Sequence, residues 1–240
     1  MNKDRDNMTT IDELRNMCIA PNNFKAYYRP FICRGELSTT DIFFVGTNPA
    51  TPILEKDLEI DEYIRLLLNY DEFIKFYKKS RVSKGKTEFS RTRTGINAFM
   101  EWLSTKTKYG ILETNVIPYP TERLKLLWKE PLNIIENGKD IFYKILIEFK
   151  PRLLILHGKK TFIQVIEMLT EKGMLMDSDI DLSHSIEQIE RQVPFINFEY
   201  SNGKKGYLIS CRHFMYYGIT GKSFSKFRDK IEELINNKLI

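Results

Sequence analysis

Cysteine is scarce in this chain: Cys18, Cys33 and Cys211 are odd in number, far apart, and no CxxC pair occurs. A disulfide-stapled scaffold is therefore excluded, and no ligand spacing for a zinc knuckle or an iron–sulfur cluster exists. Reduced, mostly buried thiols in a cytoplasmic protein are the expectation. Long apolar runs are also missing, so no stretch approaches the roughly 20 residues of a membrane-spanning helix. The amino terminus, MNKDRDNMTTIDEL, is charged and lacks an apolar signal region. No acidic cluster suggests a magnesium nuclease. The run Gly218-Ile219-Thr220-Gly221-Lys222-Ser223 is close to a phosphate loop, but that pattern needs glycine where Tyr216 stands. No cofactor, metal or nucleotide, is expected, and no membrane partner.

What is present suits one sizeable core. The chain has 240 residues, of which 42% are hydrophobic and 12% aromatic, so a single domain over 1–240 is expected, with an elaborated helical insertion at about 52–88. Lys and Arg number 37 against 32 Asp and Glu, a net charge of +5. This excess is compatible with a nucleic-acid partner without requiring one. A monomer is expected.

The most informative stretch is Asp41–Thr51, DIFFVGTNPAT. Its β-type run Ile42–Val45 stops at Gly46, and Asn48-Pro49 then forces a turn. Asn48 is thus presented just past the carboxyl end of a core strand, where open parallel α/β sheets hold ligands. Three further runs end similarly. Ile111–Val116 ends at Asn115 before Pro118 and Pro120; Arg152–His157 ends at His157 before Gly158-Lys159-Lys160; Tyr207–Ser210 leads into Cys211-Arg212-His213.

Around these strands, Thr10 and Glu13 have capping-box spacing for a first helix. Pro21–Thr40 reads as irregular chain. Ile60, Ile64, Leu67 and Leu68, followed by Phe73, Phe76 and Tyr77, make a helical apolar stripe that reads as core packing. A basic loop at Arg81–Lys86, a helix from about Ile96 to Ser104 and a helix around Asp140–Phe149 follow, with Trp128, Lys129 and Pro131 in a loop between the last two. A helix after Gly158-Lys159-Lys160 runs to about Lys172, and Gly173–Arg191 is polar and uninformative. Phe195–Tyr200 and Tyr207–Ser210 form a hairpin across Asn202-Gly203, and a closing helix spans about Ser223–Lys238. Helices alternating with buried strands predict a three-layer α/β/α fold, its mostly parallel central sheet having about four core strands.

Each polar ending has a plain structural reading beside the functional one. Asn48 could be a turn former, Asn115 a cap before Pro118, His213 a hydrogen-bonded structural histidine, and His157 a packed one. His184 lies in a polar stretch and points to nothing.

Taken in order, these endings resemble the uracil-DNA glycosylase superfamily. Gly46-Thr47-Asn48-Pro49 is similar to the family's first motif in its GxNP form, and Phe89-Ser90 to the Phe-Ser whose ring stacks on the extruded base. Glu113-Thr114-Asn115 matches the strand end whose Asn reads the base edge, and Leu153–Gly158 the strand ending in an aromatic-Gly pair, with His157 at the aromatic position. Ser210–His213 resembles the HPSP-type motif, although Phe214-Met215 follows His213 in place of Pro-Ser-Pro. The resemblance spans about Asp41–Leu234 and implies a uracil-DNA glycosylase-like fold and a monofunctional DNA N-glycosylase. Asn48 and His213 would be catalytic. Phe89, Asn115, Ala50, Gly46 and Thr47 would bind the base. DNA contacts would come from Ser90, Arg91, Arg93, Lys159, Lys160, Phe214, Met215, Tyr216, Lys222 and Ser223.

The chemistry asks for such groups. A stacked base must be extruded before its glycosidic bond can be cut. A carboxamide at Asn48 would orient water, His213 would stabilise the departing base, and Asn115 would offer both a donor and an acceptor. An apolar group after His213 would wedge into the base stack. Strict uracil enzymes of the family have a tyrosine where Ala50 stands. Its absence leaves room for a 5-substituted pyrimidine, such as glucosylated hydroxymethylcytosine in phage DNA. A uracil or mismatch repair glycosylase, a noncatalytic reader of modified DNA and a nucleoside N-glycosidase are the alternatives.

Overall fold

The apolar run at Ile42–Val45 lies inside a strand, Thr40–Gly46, that is buried at every position, as expected for a strand covered on both faces. The computed structural model describes residues 10–21, 26–176, 180–192 and 196–239. Its strands are β1 (Phe31–Arg34), β2 (Thr40–Gly46), β3 (Gly110–Asn115), β4 (Leu153–His157), β5 (Ile196–Glu199) and β6 (Lys205–Cys211). The longer helices are α1 (Ile11–Cys18), α2 (Ile60–Leu67), α3 (Tyr70–Ser83) and α4 (Arg91–Ser104), then, after the single turn α5 (Leu124–Leu127), α6 (Leu132–Phe149), α7 (Lys159–Glu171), α8 (Ile186–Gln192) and α9 (Ser225–Leu234). The architecture is mixed α/β. Two compact units form, one from the chain up to Phe73 with Gly110–Pro151, the other from Ile74–Tyr109 with the chain from Arg152 onward.

In the first unit, β3 lies between β1 and β2, parallel to β2 and antiparallel to β1. The parallel register brings Gly46 opposite Asn115 at the carboxyl ends. Phe31 and Phe43 both meet Phe149 of α6, at 5.9 and 6.1 Å between ring centres. Each such burial contributes roughly 1.5–3 kcal/mol. Helix α1 starts at the expected capping box, in which the Thr10 hydroxyl accepts from the Glu13 N–H and the Glu13 carboxylate accepts from the Thr10 N–H.

The second unit repeats the pattern, with β6 between a parallel β4 and an antiparallel β5. His157 and Cys211 are register partners where β4 and β6 end. The expected hairpin is present: β5 and β6 pair across Asn202-Gly203, where Gly203 adopts φ 80. Phe99, Phe214, Tyr217, Phe224 and Phe227, all buried, form an aromatic core between α4, α9 and the turn after β6.

Several expected boundaries differ. Pro21–Thr40 contains strand β1, which is only four residues long and owes its conformation to pairing with β3. Helix α4 starts at Arg91, not Ile96, because the Ser90 hydroxyl caps it by accepting the Arg93 N–H at 3.2 Å. That cap offsets part of the poor helix propensity of Thr92, Thr94 and Gly95. Helix α6 starts at Leu132, well before Asp140. Its Gly138 is tolerated because a side chain there would collide with Ile117. Helix α3 runs through Ser83, so Arg81–Ser83 are helical, α5 interrupts the loop before Trp128, and α8 lies in the uninformative stretch. Helix α9 begins at Ser225 and passes into a π turn at Ile235–Leu239. Phe195, the expected start of the hairpin, lies outside the described residues.

Candidate functional site

In the first unit, backbone pairing continues past the strand ends. Val116 N–H donates to Gly46 O at 2.9 Å, Ile117 N–H to Thr47 O at 2.9 Å and Thr121 N–H to Pro49 O at 3.1 Å. These bonds hold Gly46–Pro49 alongside 116–121, so half-buried Asn48 and half-buried Asn115 belong to one neighbourhood. Asn48 Nδ2 donates to Thr121 Oγ1 at 2.8 Å, and the same hydroxyl donates to the Arg123 carbonyl at 3.0 Å. Because the Thr121 proton is committed to Arg123, its oxygen can only accept from Asn48. The amide orientation follows, leaving Asn48 Oδ1 as an acceptor. A residue that reads in sequence as a turn former is therefore a carboxamide of fixed orientation.

A second device holds the next residues. Buried Arg29 donates from Nη1 to Ala50 O at 3.3 Å and from Nη2 to Thr51 O at 2.8 Å, and its guanidinium lies 4.9 Å over the Phe73 ring. Thr51 has φ 67, a left-handed conformation that a β-branched residue adopts only under constraint, at about 1–3 kcal/mol. The Arg29 clamp supplies that constraint. Ala50 itself is exposed.

In the second unit, the ends of β4 and β6 bring two histidine rings to 5.3 Å, edge to face. After His157 the chain passes Gly158, whose φ of 91 suits glycine and whose N–H donates to Cys211 O at 2.8 Å. Buried His157 also packs on Phe214 at 5.5 Å. Burial, then the neighbouring His213 and Arg93, drive its pKa well below the ordinary histidine value, so it is neutral. His213 is half-buried, and burial lowers its pKa too. The Met215 N–H donates to His213 Nδ1 at 3.3 Å, so the neutral ring carries its proton on Nε2. His213 is thus a neutral hydrogen-bond donor. Arg212, just before it, is fixed by two contacts of 3.1 Å and one of 2.8 Å to the Glu190 carboxylate of α8.

Phe89 is half-buried and stacks on Tyr77 at 6.3 Å with 11° between the planes. Tyr77 is buried and also lies under the Arg93 guanidinium at 5.4 Å. Its stripe packs in the core, as the sequence suggests.

The expected DNA-contacting residues divide. Phe214 is not a surface wedge: it is fully buried, 4.8 Å from Phe99 and 5.0 Å from Tyr217. The tight turn Phe214–Tyr216 places this ring inward. Arg93 is buried on α4 and engaged with Tyr77, so it is not a surface phosphate ligand. Lys159 donates to the carbonyls of Leu182 and His184, which ties down that segment and leaves no extended cation for a phosphate. Ser90 is the α4 cap. Arg91, Lys160, Met215, Tyr216, Lys222 and Ser223 are exposed.

Sequence reasoning missed Thr121, Arg29, Tyr77 as the support of Phe89, and the Glu190–Arg212 pair. None lies in a recognisable local pattern; only Thr121, just beyond Pro118 and Pro120, stands near a strand end visible in the sequence. Among the described residues no three His, Cys, Asp or Glu side chains lie together as metal ligands, and no helix is long and apolar enough to cross a membrane. Against known proteins, no family model matches the chain and no characterised protein matches it.

Proposed function

We propose that the protein is a cytoplasmic DNA N-glycosylase with the α/β/α fold of the uracil-DNA glycosylase superfamily, releasing a 5-substituted pyrimidine from DNA and leaving an abasic site. The observation that carries this reading is the Asn48 carboxamide, held by Thr121 at the end of a buried strand with its oxygen left to accept. An acceptor there holds a water proton and aims the water oxygen at the sugar carbon. The glycosidic electron pair leaves with the base, and the sugar carbon bonds to the water, which loses a proton to solvent. For His213 the resemblance implies donation to the oxygen of the departing base, a role that its neutral Nε2–H suits and that is worth about 10²–10³ in rate where such donors have been removed elsewhere. Asn115 suits the base edge, and the resemblance implies that Phe89 is the ring that stacks on the extruded base. The exposed groups after His213, Met215, Tyr216 and Ile219, are 38%, 59% and 79% accessible and suit insertion into the stack left by the base. Small Ala50 suits a substrate bulky at C5, such as glucosylated hydroxymethylcytosine in viral DNA, and hence antiviral defence.

The test is mass spectrometry of bases released from unmodified, uracil-containing and glucosylated viral DNA. Release of the 5-modified base is expected, together with its abolition in Asn48→Ala at nearly unchanged DNA affinity. Rapid uracil release with the modified cytosine untouched points instead to a repair glycosylase. Binding without release from any DNA points to a noncatalytic reader, and release from free nucleosides alone to a nucleoside N-glycosidase.

A further inference from the structure

The segment that anchors Asn48 leads directly into a surface with no part in the proposed base release. Two residues after Thr121 the chain turns into α5, planted by fully buried Leu127. The turn continues past the helix: Lys129 N–H donates to Leu126 O at 3.0 Å and Glu130 N–H to Leu127 O at 3.1 Å. At helical spacing, Lys125, Trp128 and Lys129 stand at i, i+3 and i+4, on one face. All three are exposed, with Trp128 43% accessible and Leu132, just beyond, 71%. Arg123 at the start of the turn is exposed as well. Among the described residues Arg123, Lys125 and Lys129 form no ion pair. The nearby acids are Glu122, outside the turn, and half-buried Glu130, whose pKa is raised by burial.

An exposed indole between unpaired cations matches the two things a nucleic-acid strand offers, the flat face of a base and the charge of its phosphates. A membrane surface needs a broader apolar face than one indole and one leucine. We propose that Arg123–Leu132 is a nucleic-acid-binding turn in which Trp128 stacks on a base and Lys125 and Lys129 hold the flanking phosphates. Thr121 links it to Asn48 through the hydrogen bond already described, so the turn would grip the strand whose base is to be released. In that respect it rests on the glycosylase reading.

The chain has two tryptophans, so a Trp102→Phe background isolates the Trp128 fluorescence. Titration with a short single-stranded oligonucleotide should quench it saturably. Trp128→Ala should weaken binding roughly tenfold or more. Lys125→Ala with Lys129→Ala should lower the slope of log affinity against log salt by about 1.4. Melting temperatures of the lysine variants should stay unchanged, because both side chains are exposed. Unchanged quenching, affinity and salt slope overturn the proposal, and so does preferential binding to anionic phospholipid vesicles. Unaltered binding with normal base release removes the turn and leaves the glycosylase standing. Altered binding without base release from any DNA keeps the turn and removes the glycosylase. A wild-type chain that binds no DNA removes both.

Discussion

Replacing Thr121 by valine tests whether Asn48 is a positioned group or only a turn residue. The two side chains have nearly the same shape, but the hydroxyl is lost. It is buried at 5% accessibility, so water cannot replace it. It accepts the 2.8 Å bond from Asn48 Nδ2 and donates the 3.0 Å bond to Arg123 O. With valine both partners lose a near neighbour, and the remaining Asn48 contact, Nδ2 to Pro49 O at 3.4 Å, is long and poorly able to hold the amide. The two part-buried hydrogen bonds lost are worth about 0.5–1.5 kcal/mol each, so the change costs about 1–3 kcal/mol. For a chain of this size that lowers the melting temperature by about 2–4 °C per kcal/mol. If Asn48 positions water as proposed, the same loss of orientation should slow the proposed base release about 5- to 150-fold with little change in DNA affinity. Thr121→Ser restores the hydroxyl and should recover most of both. Two measurements decide: thermal unfolding, and single-turnover base release with binding followed in parallel. A valine variant that melts and turns over like wild type refutes the reasoning. Equal loss in serine and valine variants refutes it too, because the hydroxyl would then be irrelevant.

Three more outcomes are expected. Gly95→Ala gains about 1 kcal/mol of helix propensity but drives a methyl into the Phe214 carbonyl, a backbone atom that cannot swing aside. Overpacking of about 1–3 kcal/mol or more should dominate, so the variant should melt lower and disturb the turn holding His213; a variant at least as stable as wild type contradicts this. His157 and His213 have lowered pKa values, so below the ordinary histidine value near 6.5 the unfolded chain binds protons that the folded chain refuses. Their contribution to stability is therefore level above about pH 7 and falls on acidification, by up to about 1.4 kcal/mol per pH unit for each histidine. Urea unfolding from pH 5 to 7.5 should show a shallower slope in His157→Phe, and equal slopes count against the buried neutral state. Burial raises the thiol pKa of Cys18 and Cys211 and pushes that of Cys33 up to about 12. The native protein at pH 8 should leave all three unreacted with a disulfide reagent while urea exposes all three, and fast native labelling of any one would contradict the packing.

The parts legible in the sequence are those written in near neighbours. Thr10 and Glu13 are three residues apart and form the predicted cap. Ile42–Val45 is apolar throughout, as a strand buried at every position must be. Asn202-Gly203 supplies the positive φ that the hairpin turn uses. The starts of α4 and α6 are not legible in the sequence, because Gly95 and Gly138 look like helix breakers in isolation. Each glycine instead makes room for a neighbour distant in the chain, Phe214 and Ile117.

By itself, then, the sequence determined a mixed α/β chain, its buried strands, and the polar residues standing at their carboxyl ends. Period and punctuation act over a few residues, and a local pattern is enough to specify them. Tertiary structure decided what those residues are able to do. Asn48 is oriented by a hydroxyl 73 positions away, Ala50 and Thr51 by a buried guanidinium 21 and 22 positions before them. Arg212, beside His213, is held by a carboxylate on a helix that no periodicity announced. It also turned Phe214 inward and left Trp128 outside. Such partners are matched by burial and by the need to satisfy every buried polar atom, conditions that exist only once distant segments have met.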